Sequence, residues 1–305
     1  KSGWRRIMMD GLLIFDKEQG ITSHDLVYKV RRKLGIKKVG HTGTLDPMAT
    51  GVLVISIGKA TKTSEYIISS DKEYEARIKL GVLTDSYDIT GEILKEEKVT
   101  FTQDEIINAL KHFTGKMTQK PPIYSALKVK GKKLYEYARE GKDVEIKKRN
   151  IEIYKNELLE FNGSDEFFIR VKVSKGTYIR SLANDIGEFL GTYGTLTELR
   201  RTRTGDFKIE DSIKTSSFQE MSLDEIKEKI LPMDMALSNF KKIEIDRSFC
   251  KEFLNGQFYK VKDSLEDEDY RVYCDNLFLG IGEIRYIDNE AYLKMKKKLI
   301  GDLWK

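Results

Sequence analysis

Two stretches of this chain alternate apolar and charged residues so regularly that they restrict the fold to one built on a half-buried sheet. Residues 74–81 read YEARIKLG and residues 167–173 read FFIRVKV. Because successive side chains of a strand point to opposite faces, each stretch predicts a β-strand with one apolar face. A third stretch, VLVISIG at 52–58, is unbroken and β-branched, which predicts a strand buried on both faces.

Three helices are predicted beside these strands. Residues 22–35 place apolar residues four apart, and the final Gly can end the helix. Residues 102–113 begin with a Thr followed three residues later by Glu, a capping box that marks a helix start. After Gly176 the second alternating strand is expected to turn into a helix, with Arg180 in its first turn and Phe189 on its apolar face.

The C-terminal part of the chain has a different residue pattern. After about Asn239 come five short β-rich pieces, KKIEI, GQFYKV, YRVYC, LFLGIGEI and AYLKM, separated by Asn, Asp and Gly. These predict a small all-β domain with an acidic segment, LEDED at 265–269, inside it. Residues 212–234 are expected to bridge the two domains.

Length and composition exclude several classes of protein. The 305 residues suit about two domains. Two cysteines, Cys250 and Cys274, are too few to staple such a chain, so we expect a reduced, cytoplasmic protein. No His/Cys pair has zinc spacing, and no apolar run approaches the roughly 18 residues of a membrane span. We therefore expect no metal site, no membrane association and no secretion.

Positive charge is concentrated in one segment. The whole chain carries a net charge of +5, and residues 128–149, with nine basic against four acidic residues, carry an equal excess. Tyr124, Tyr135 and Tyr137 lie in or beside this segment, and a further basic cluster, LRRTRTG, follows at 199–205. Basic residues interleaved with aromatic ones suit nucleic-acid phosphates and bases. A solvated helix-loop is an equally good interpretation of residues 128–149 from composition alone.

The stretch GHTGTLDPMATGVL at 40–53 presents one acid, Asp46, among turn-forming residues. Asp-Pro commonly begins a turn, and the functional alternative is a carboxylate held on a rigid loop as nucleophile or base. Arg180 is by default a surface arginine, but if it met Asp46 it would keep that carboxylate ionised. Tyr74 suits core filling or base stacking, and His41 suits a loop histidine that bonds to backbone. Without a Walker A, GxGxxG or Ser/His/Asp pattern, a reaction that needs no cofactor is favoured.

Six blocks of sequence, in this order, resemble the bacterial TruB family of tRNA pseudouridine synthases. They are DGLLIFDKEQGITSHD, VGHTGTLDPMATGVLVISIGKATK, SDKEYEARIKLGVLTDSYDITG, PPIYSALKVKGKKLYEYAREG, SKGTYIRSLANDIGE and ELRRTRTG. The likeness spans nearly the whole chain from about Met9. One departure is Glu18, which stands where the family usually has Pro.

The resemblance implies an α+β fold, the pseudouridine-synthase fold. Residues 9–238 would form a catalytic domain, a mixed and mostly antiparallel sheet flanked by helices. Residues 239–305 would form a small β-rich, PUA-like RNA-binding domain. Within the catalytic domain, the basic segment at about 120–150 would be an RNA-gripping insertion that includes Lys132 and Lys133.

The resemblance also assigns roles to single residues. Asp46 would be the catalytic nucleophile, Arg180 its partner, and Tyr74 a ring that packs on the target base and helps to remove its C5 proton. Tyr178 and Leu199 would line the uracil pocket. In the same comparison, His41 would take the place of the flipped nucleotide.

The implied function is isomerisation of uridine 55, in the T-loop of tRNA, to pseudouridine, together with help in tRNA folding. The expected partner is tRNA, gripped at its T-arm and acceptor region by a monomer that needs no other protein. Two alternatives stay open from the residues: a non-catalytic RNA-binding or RNA-folding protein, and the guided synthase of a ribonucleoprotein. The basic insertion, which suits direct gripping of tRNA, disfavours the second alternative.

Overall fold

The computed structural model describes residues 9–261 and 265–300. In these ranges the strands are β1 (Gly11–Lys17), β2 (Val39–His41), β3 (Thr50–Ile57), β4 (Lys72–Leu80), β5 (Val82–Thr84), β6 (Ile93–Glu96), β7 (Gly115–Gln119), β8 (Lys128–Val129), β9 (Lys132–Lys133), β10 (Arg149–Phe161), β11 (Glu166–Val173), β12 (Gly194–Thr204), β13 (Phe207–Lys208), β14 (Ile213–Lys214), β15 (Lys241–Glu244), β16 (Tyr259–Lys260), β17 (Asp269–Cys274), β18 (Leu277–Ile287) and β19 (Glu290–Lys298).

The helices of the same ranges are short. They are α1 (Ser23–Leu34), α2 (Ser64–Ile68), α3 (Gln103–His112), α4 (Leu134–Arg139), α5 (Ile179–Phe189), α6 (Thr215–Phe218), α7 (Leu223–Glu228) and α8 (Cys250–Leu254), with 3₁₀ turns at Gly58–Thr63, Ile209–Asp211, Met233–Leu237 and Arg247–Phe249. None of these described helices is long and apolar enough to cross a membrane.

The predicted strands and helices are confirmed. In β4 from Tyr74 onward, and in β11, the alternate apolar residues are buried and the charged residues between them are partly or fully exposed, and β3 is buried on both faces. Thr22 and Thr102 both form capping boxes, and Gly35 ends α1 in the left-handed conformation. The expectation for Phe189 is wrong, because this ring is about half exposed and stacks on His112 at the ends of α3 and α5.

The larger sheet of the described residues is mixed and mostly antiparallel. Its strand order is β14-β1-β3-β12-β4-β11-β10-β7, with β2 paired to β3 and β13 paired to β12. The pairs β1/β14 and β3/β12 are parallel, and the other pairs are antiparallel. The centre of the sheet therefore places β3, β12 and β4 side by side.

Helices cover one face of this sheet. The main core, referred to below by that name, joins the inward side chains of β1, β3, β4 and β11 to apolar residues of α1, α3 and α5. The opposite face carries a smaller cluster in which Leu12, Ile14, Val52 and Val54 meet Ile67 of α2. Strands β1 and β3 are therefore covered on both faces of the sheet.

Residues 212–234, which were expected to bridge the two domains, pack mostly into the first one. Phe218 is fully buried against Phe15, with ring centroids 4.9 Å apart at an interplanar angle of 83°. Ile226 also belongs to the main core, and Leu231 exchanges two backbone hydrogen bonds with Leu12. The segment is thus part of the first domain, because its apolar residues complete the cover over β1.

The five β-rich pieces of the C-terminal part form the predicted sheet. Its order is β15-β17-β18-β19-β16, around a separate cluster of buried residues. The two domains meet where Leu237, Ile281 and Leu299 pack together. Lys297 strengthens the contact by donating to the Lys62 carbonyl at 2.6 Å and pairing with Glu65 at 2.5 Å.

The burial of Phe218 leads to a stability prediction. Phe218→Ala should lower the free energy of unfolding by about 3–5 kcal/mol, because it removes a ring from the main core and leaves a cavity. Leu223→Ala, at an exposed position of the same segment, is the matched control and should change it by about 0.5 kcal/mol or less. Urea unfolding measures both values. Equal small decreases would mean that the segment is only a linker.

Candidate functional site

Asp46 occupies the first position of a tight turn between β2 and β3. The Ala49 amide donates to the Asp46 carbonyl at 3.0 Å, and Pro47 takes the second position, which its fixed φ favours. Leu45 and Met48 on either side are buried in the main core. The turn interpretation is therefore confirmed, and the turn presents an Asp46 side chain that is 36% exposed.

Two buried polar side chains hold the backbone of this turn. Ser23, the first residue of α1, accepts a hydrogen bond from the Leu45 amide at 2.8 Å and donates to the Leu45 carbonyl at 3.1 Å. Lys17 is fully buried and donates to the carbonyl oxygens of Glu18 at 2.9 Å and Pro47 at 3.5 Å. Burial lowers the pKa of Lys17 to about 8. Such satisfied buried donors make the turn rigid.

Arg180 lies under the turn and is 4% exposed, so the surface interpretation of this residue is wrong. Its Nε contacts Asp46 Oδ2 at 3.0 Å. Its Nη1 donates to the Ser86 carbonyl at 3.2 Å and lies 3.4 Å from Asp88 Oδ2. Its Nη2 donates to the Tyr124 carbonyl at 2.9 Å. All three nitrogens of the guanidinium therefore have oxygen partners, which fixes its plane.

Asp88 is the site residue that sequence reasoning missed. It is 3% exposed and accepts hydrogen bonds from Ser86 Oγ at 2.9 Å and the Thr90 amide at 3.0 Å. Tyr87, which lies between Ser86 and Asp88 in the sequence, has a φ of +61°, a conformation that is rare for a bulky residue. The run DSYDITG carries turn-forming residues but no periodic signal, so only the fold reveals that this turn faces Arg180.

The charges of the site work against one another at Asp46. Burial raises the pKa of the Asp46 carboxyl, Arg180 and Lys17 lower it, and the like charge of Asp88 raises it. The net direction of the pKa is upward, because burial and the charge of Asp88 together outweigh the lowering by Arg180 and Lys17. Neither carboxylate belongs to a metal cluster, because among the described residues no group of three or more His, Cys, Asp or Glu side chains could hold a metal ion.

Of three predicted pocket residues, Tyr178 lies close enough to be affected by the charges of Asp46 and Arg180, and Tyr74 and Leu199 belong to the main core. Tyr74 on β4 and Leu199 on β12 lie on neighbouring strands and share the main core with Met48. Tyr178 precedes α5, and its amide donates to the Gln119 side chain at 2.8 Å. Burial raises the pKa of Tyr178, and the nearby Asp46 carboxylate raises it further, so the phenol keeps its proton at neutral pH.

His41 ends the short strand β2 rather than lying in a loop. Its ring accepts a hydrogen bond at Nδ1 from the Gly43 amide at 3.4 Å, which agrees with the expected bonding to backbone. Burial lowers the pKa of His41. The ring is therefore neutral at physiological pH, and with Nδ1 as acceptor its proton resides on Nε2.

Lys132 and Lys133 lie on the β8–β9 hairpin. Helix α4, which follows it, donates from the Tyr135 amide to the Ser125 carbonyl, next to the Tyr124 carbonyl that Arg180 binds. Lys132 forms an ion pair with Glu140 and lies over the Tyr137 ring at 5.1 Å. Lys133 lies over the Tyr135 ring at 5.3 Å. Each of these two tyrosine rings thus has a cation within cation–π distance. The hairpin and α4 form a compact basic unit, which we call the basic hairpin (residues 128–139).

Comparison with known proteins places most of this chain in one family. Residues 31–179 match the model for the N-terminal domain of the TruB family of pseudouridylate synthases. Residues 180–238 match the model for the C-terminal domain of tRNA pseudouridylate synthase B. Both the Asp46 turn and Arg180 fall within matched residues, and neither match extends beyond residue 238.

Curated relatives agree over nearly the full length of the chain. The tRNA pseudouridine synthase B of Clostridium tetani (strain Massachusetts / E88) is 46% identical over 280 residues, which cover 90% of this chain and 96% of that protein. The tRNA pseudouridine synthase B of Alkaliphilus oremlandii (strain OhILAs) is 42% identical over 298 residues, with coverage of 95% and 99%.

Solved structures confirm the fold. A chain in the crystal structure of a Cbf5-Nop10-Gar1 complex superposes with a TM-score of 0.73 at 26% identity, covering 96% of this chain and 86% of that one. A chain in an H/ACA RNP bound to a substrate RNA containing 2'-deoxyuridine gives a TM-score of 0.74 at 24% identity, with coverage of 97% and 87%. The likeness at 24% identity concerns the fold alone.

The charge cluster yields a test that needs no substrate. In Asp88→Asn the pKa of Asp46 should fall, because a like charge is removed, and the free energy of unfolding should drop by about 1–3 kcal/mol, because Arg180 loses part of its compensation. Carboxyl-carbon NMR titration and urea unfolding measure the two effects. Asp85→Asn removes a charge from the same turn at a residue that bonds to the Glu92 amide, and it should leave the pKa of Asp46 unchanged. If the pKa of Asp46 were unchanged in both variants, its coupling to the charge of Asp88 would be refuted.

Proposed function

Since this chain belongs to the TruB family of tRNA pseudouridine synthases, we propose that it isomerises uridine 55 in the tRNA T-loop with Asp46 as its nucleophile. The reaction converts uridine to pseudouridine, so a carbon–nitrogen glycosidic bond breaks and a carbon–carbon bond forms. No atom is gained or lost overall. The reaction therefore requires a positioned carboxylate and a pocket that fits the base, and it requires no redox group.

The observation that carries this proposal is the contact between Asp46 and Arg180. A carboxylate on a rigid turn, 3.0 Å from a buried guanidinium whose other nitrogens are already bonded, is oriented before substrate arrives. Preorganised charge of this kind lowers the barrier without reorganisation during the reaction. The exposed part of the Asp46 side chain leaves an oxygen that can reach a substrate atom.

In the proposed reaction, the ionised Asp46 carboxylate attacks either C1′ of the ribose or C6 of the uracil. The bond between C1′ and N1 breaks, the base rotates, and C1′ bonds to C5. The C5 proton is then lost with help from Tyr74, and N1 ends with a proton. A carboxylate suits both routes, because it bonds covalently yet leaves again, and it stabilises positive charge that develops at C1′.

The target uridine has to leave its stacked loop before Asp46 can reach it. Extrusion of a base costs a few kcal/mol, which phosphate contacts and stacking offset. In the proposal Tyr74, Tyr178 and Leu199 receive the extruded base, and the neutral His41 occupies the space it vacates. A neutral imidazole suits that position, since it enters the loop without bringing a buried charge.

The basic hairpin is proposed to grip the T-arm, and the PUA-like domain from residue 239 onward to touch the acceptor region. RNA phosphates would compete with Glu140 for Lys132, which costs little because surface ion pairs contribute at most about 1 kcal/mol. The enzyme is proposed to act as a cytoplasmic monomer on free tRNA, without guide RNA or protein partner. Because the ion-pair and ring contacts of Lys132 and Lys133 within the described residues are with Glu140, Tyr137 and Tyr135, help in tRNA folding would be separable from catalysis.

Replacement of the proposed nucleophile tests the function directly. Asp46→Asn should slow pseudouridine formation by about 10⁴-fold or more, because an amide cannot attack carbon. The dissociation constant for tRNA should stay within about threefold, since affinity comes mainly from phosphate contacts. Tritium release from tRNA labelled at uracil C5 measures the rate, and filter binding measures affinity.

The substrate in this experiment is bare, unmodified tRNA, compared with the same tRNA bearing cytidine at position 55. Product from bare tRNA excludes a requirement for a guide RNA. Wild-type rates in Asp46→Asn would remove this residue from catalysis. Product at another position would contradict the choice of site.

A second prediction concerns the basic hairpin. Lys132→Gln combined with Lys133→Gln should weaken tRNA binding and reduce the slope of log affinity against log salt by about 2, about one unit for each phosphate that the hairpin no longer neutralises. The rate at saturating enzyme should remain near that of the wild type. Lys227→Gln, which removes a cation from the exposed face of α7, serves as control. A salt slope that matches the wild type would contradict the proposed grip.

A further inference from the structure

Arg201 lies at the centre of the larger sheet and is 2% exposed. On β12 it is in register with Gly51 of β3 on one side and with Tyr74 of β4 on the other. One residue therefore stands between the strand that follows the Asp46 turn and the strand that carries Tyr74. Its side chain must end in a desolvated place, where a charge needs several partners.

The partners of Arg201 are backbone carbonyls at both ends of the segment that carries Asp46. Nε donates to the Val52 carbonyl at 2.7 Å, Nη2 to the Gly43 carbonyl at 3.2 Å, and Nη1 reaches the Thr44 carbonyl at 3.5 Å. Gly43 and Thr44 precede Asp46, and Val52 follows it. The guanidinium thus fixes the distance between the two ends of this segment.

The neighbouring arginines of the LRRTRTG run behave differently. Arg200 pairs with Asp16 at 2.7 Å, and its side chain is 39% exposed. Arg203 donates to the Gly205 carbonyl at 2.6 Å and is 42% exposed. These two residues keep their side chains partly in solvent, whereas Arg201 is enclosed. The expectation of one basic cluster is therefore wrong for Arg201, whose charge faces the protein interior.

Gly51 makes the close approach of the two strands possible. Its φ is +102°, and a Cβ atom there would lie 2.1 Å from the Arg201 carbonyl oxygen. Real side chains do not tolerate such a contact, so a residue without a side chain is needed at this crossing. The backbone of Arg201 and its guanidinium consequently hold the same segment from two directions.

We propose that Arg201 is a positioning residue for the reaction, which sets the distance of Asp46 from Arg180 and Tyr74 by tying together the two ends of its loop. The inference rests on the proposed role of Asp46 as nucleophile. It adds a device that acts through the backbone and does not touch the substrate. Lysine cannot replace it, because a single ammonium cannot span carbonyls that a planar fork of three nitrogens reaches together.

The test compares Arg201→Lys with Arg203→Lys, which makes the same change two residues away on the same strand. Both are assayed in single turnover on 5-³H-uridine tRNA with enzyme in saturating excess, and tRNA affinity is measured separately. Arg201→Lys should lower the rate constant by about 100-fold, the cost of a misplacement near 1 Å. Its dissociation constant should change less than twofold, and Arg203→Lys should keep the wild-type rate.

This design separates positioning from folding. A variant that is only partly folded has fewer active molecules, but at saturating enzyme the rate constant of those molecules is unchanged. Titration with 5-fluorouridine-substituted tRNA counts the molecules competent to bind. A wild-type rate constant in Arg201→Lys, or equal decreases in both lysine variants, would overturn the inference.

A second variant covers the case in which Arg201→Lys does not fold. Gly43→Ala strains the backbone at the other end of the tie, where φ is +137° and the nearest atom to a new Cβ is 3.9 Å away. We expect a rate about tenfold lower with affinity preserved. Gly163→Ala, at φ +81° with open space around it, should keep the wild-type rate. Equal rates in the two glycine variants would count against a positioning role for the Arg201 bonds to Gly43, Thr44 and Val52. An inactive wild type would instead refute the proposed function itself.

Discussion

The buried guanidinium of Arg180 is the interaction on which the site depends. An arginine removed from water is stable only when charges and hydrogen-bond acceptors surround it. Its partners come from the Asp46 turn, from the turn that contains Ser86 and Asp88, and from the backbone at Tyr124. These segments are distant in sequence. The sheet brings them together, so the site exists only in the complete fold.

Buried cations that bind backbone carbonyls recur in the first domain. Lys17 holds the carbonyl of Pro47, and Arg201 holds those of Gly43, Thr44 and Val52. Lys72, at the start of β4, donates to the carbonyls of Ile68, the last residue of α2, and of Ser70 at 2.6 Å each. Burial lowers the pKa of both Lys17 and Lys72 to about 8. Arg201 differs from them, since arginine keeps its charge at every pH at which the protein is folded.

The residues of the Asp46 pocket and those of the basic hairpin differ in how firmly the structure holds them. The Asp46 pocket is built on the central strands, where packing limits motion, whereas the basic hairpin stands on its own two short strands. Its tyrosines contact lysines, and Lys132 is paired with Glu140. Surface pairs of this kind exchange easily for phosphate. The hairpin is still linked to the site, because the Tyr135 amide bonds to the Ser125 carbonyl and the neighbouring Tyr124 carbonyl accepts a hydrogen bond from Arg180.

The sequence by itself determined the local structure: the alternating strands β4 and β11, the capped helices α1 and α3, the Asp-Pro turn and the five β-rich C-terminal pieces. Their patterns depend on neighbours one to four residues away, which is why they can be read from the sequence. The resemblance of six sequence blocks to the TruB family further predicted Asp46, Arg180 and Tyr74 as residues of one site. Only the tertiary structure decided that Arg180 and Arg201 are enclosed, that Asp88 faces Arg180, and that Phe218 belongs to the main core. The Arg180–Asp88 pair spans about ninety residues of chain and the Arg201–Gly43 bond nearly 160, and no periodicity in the sequence reports contacts between such distant segments.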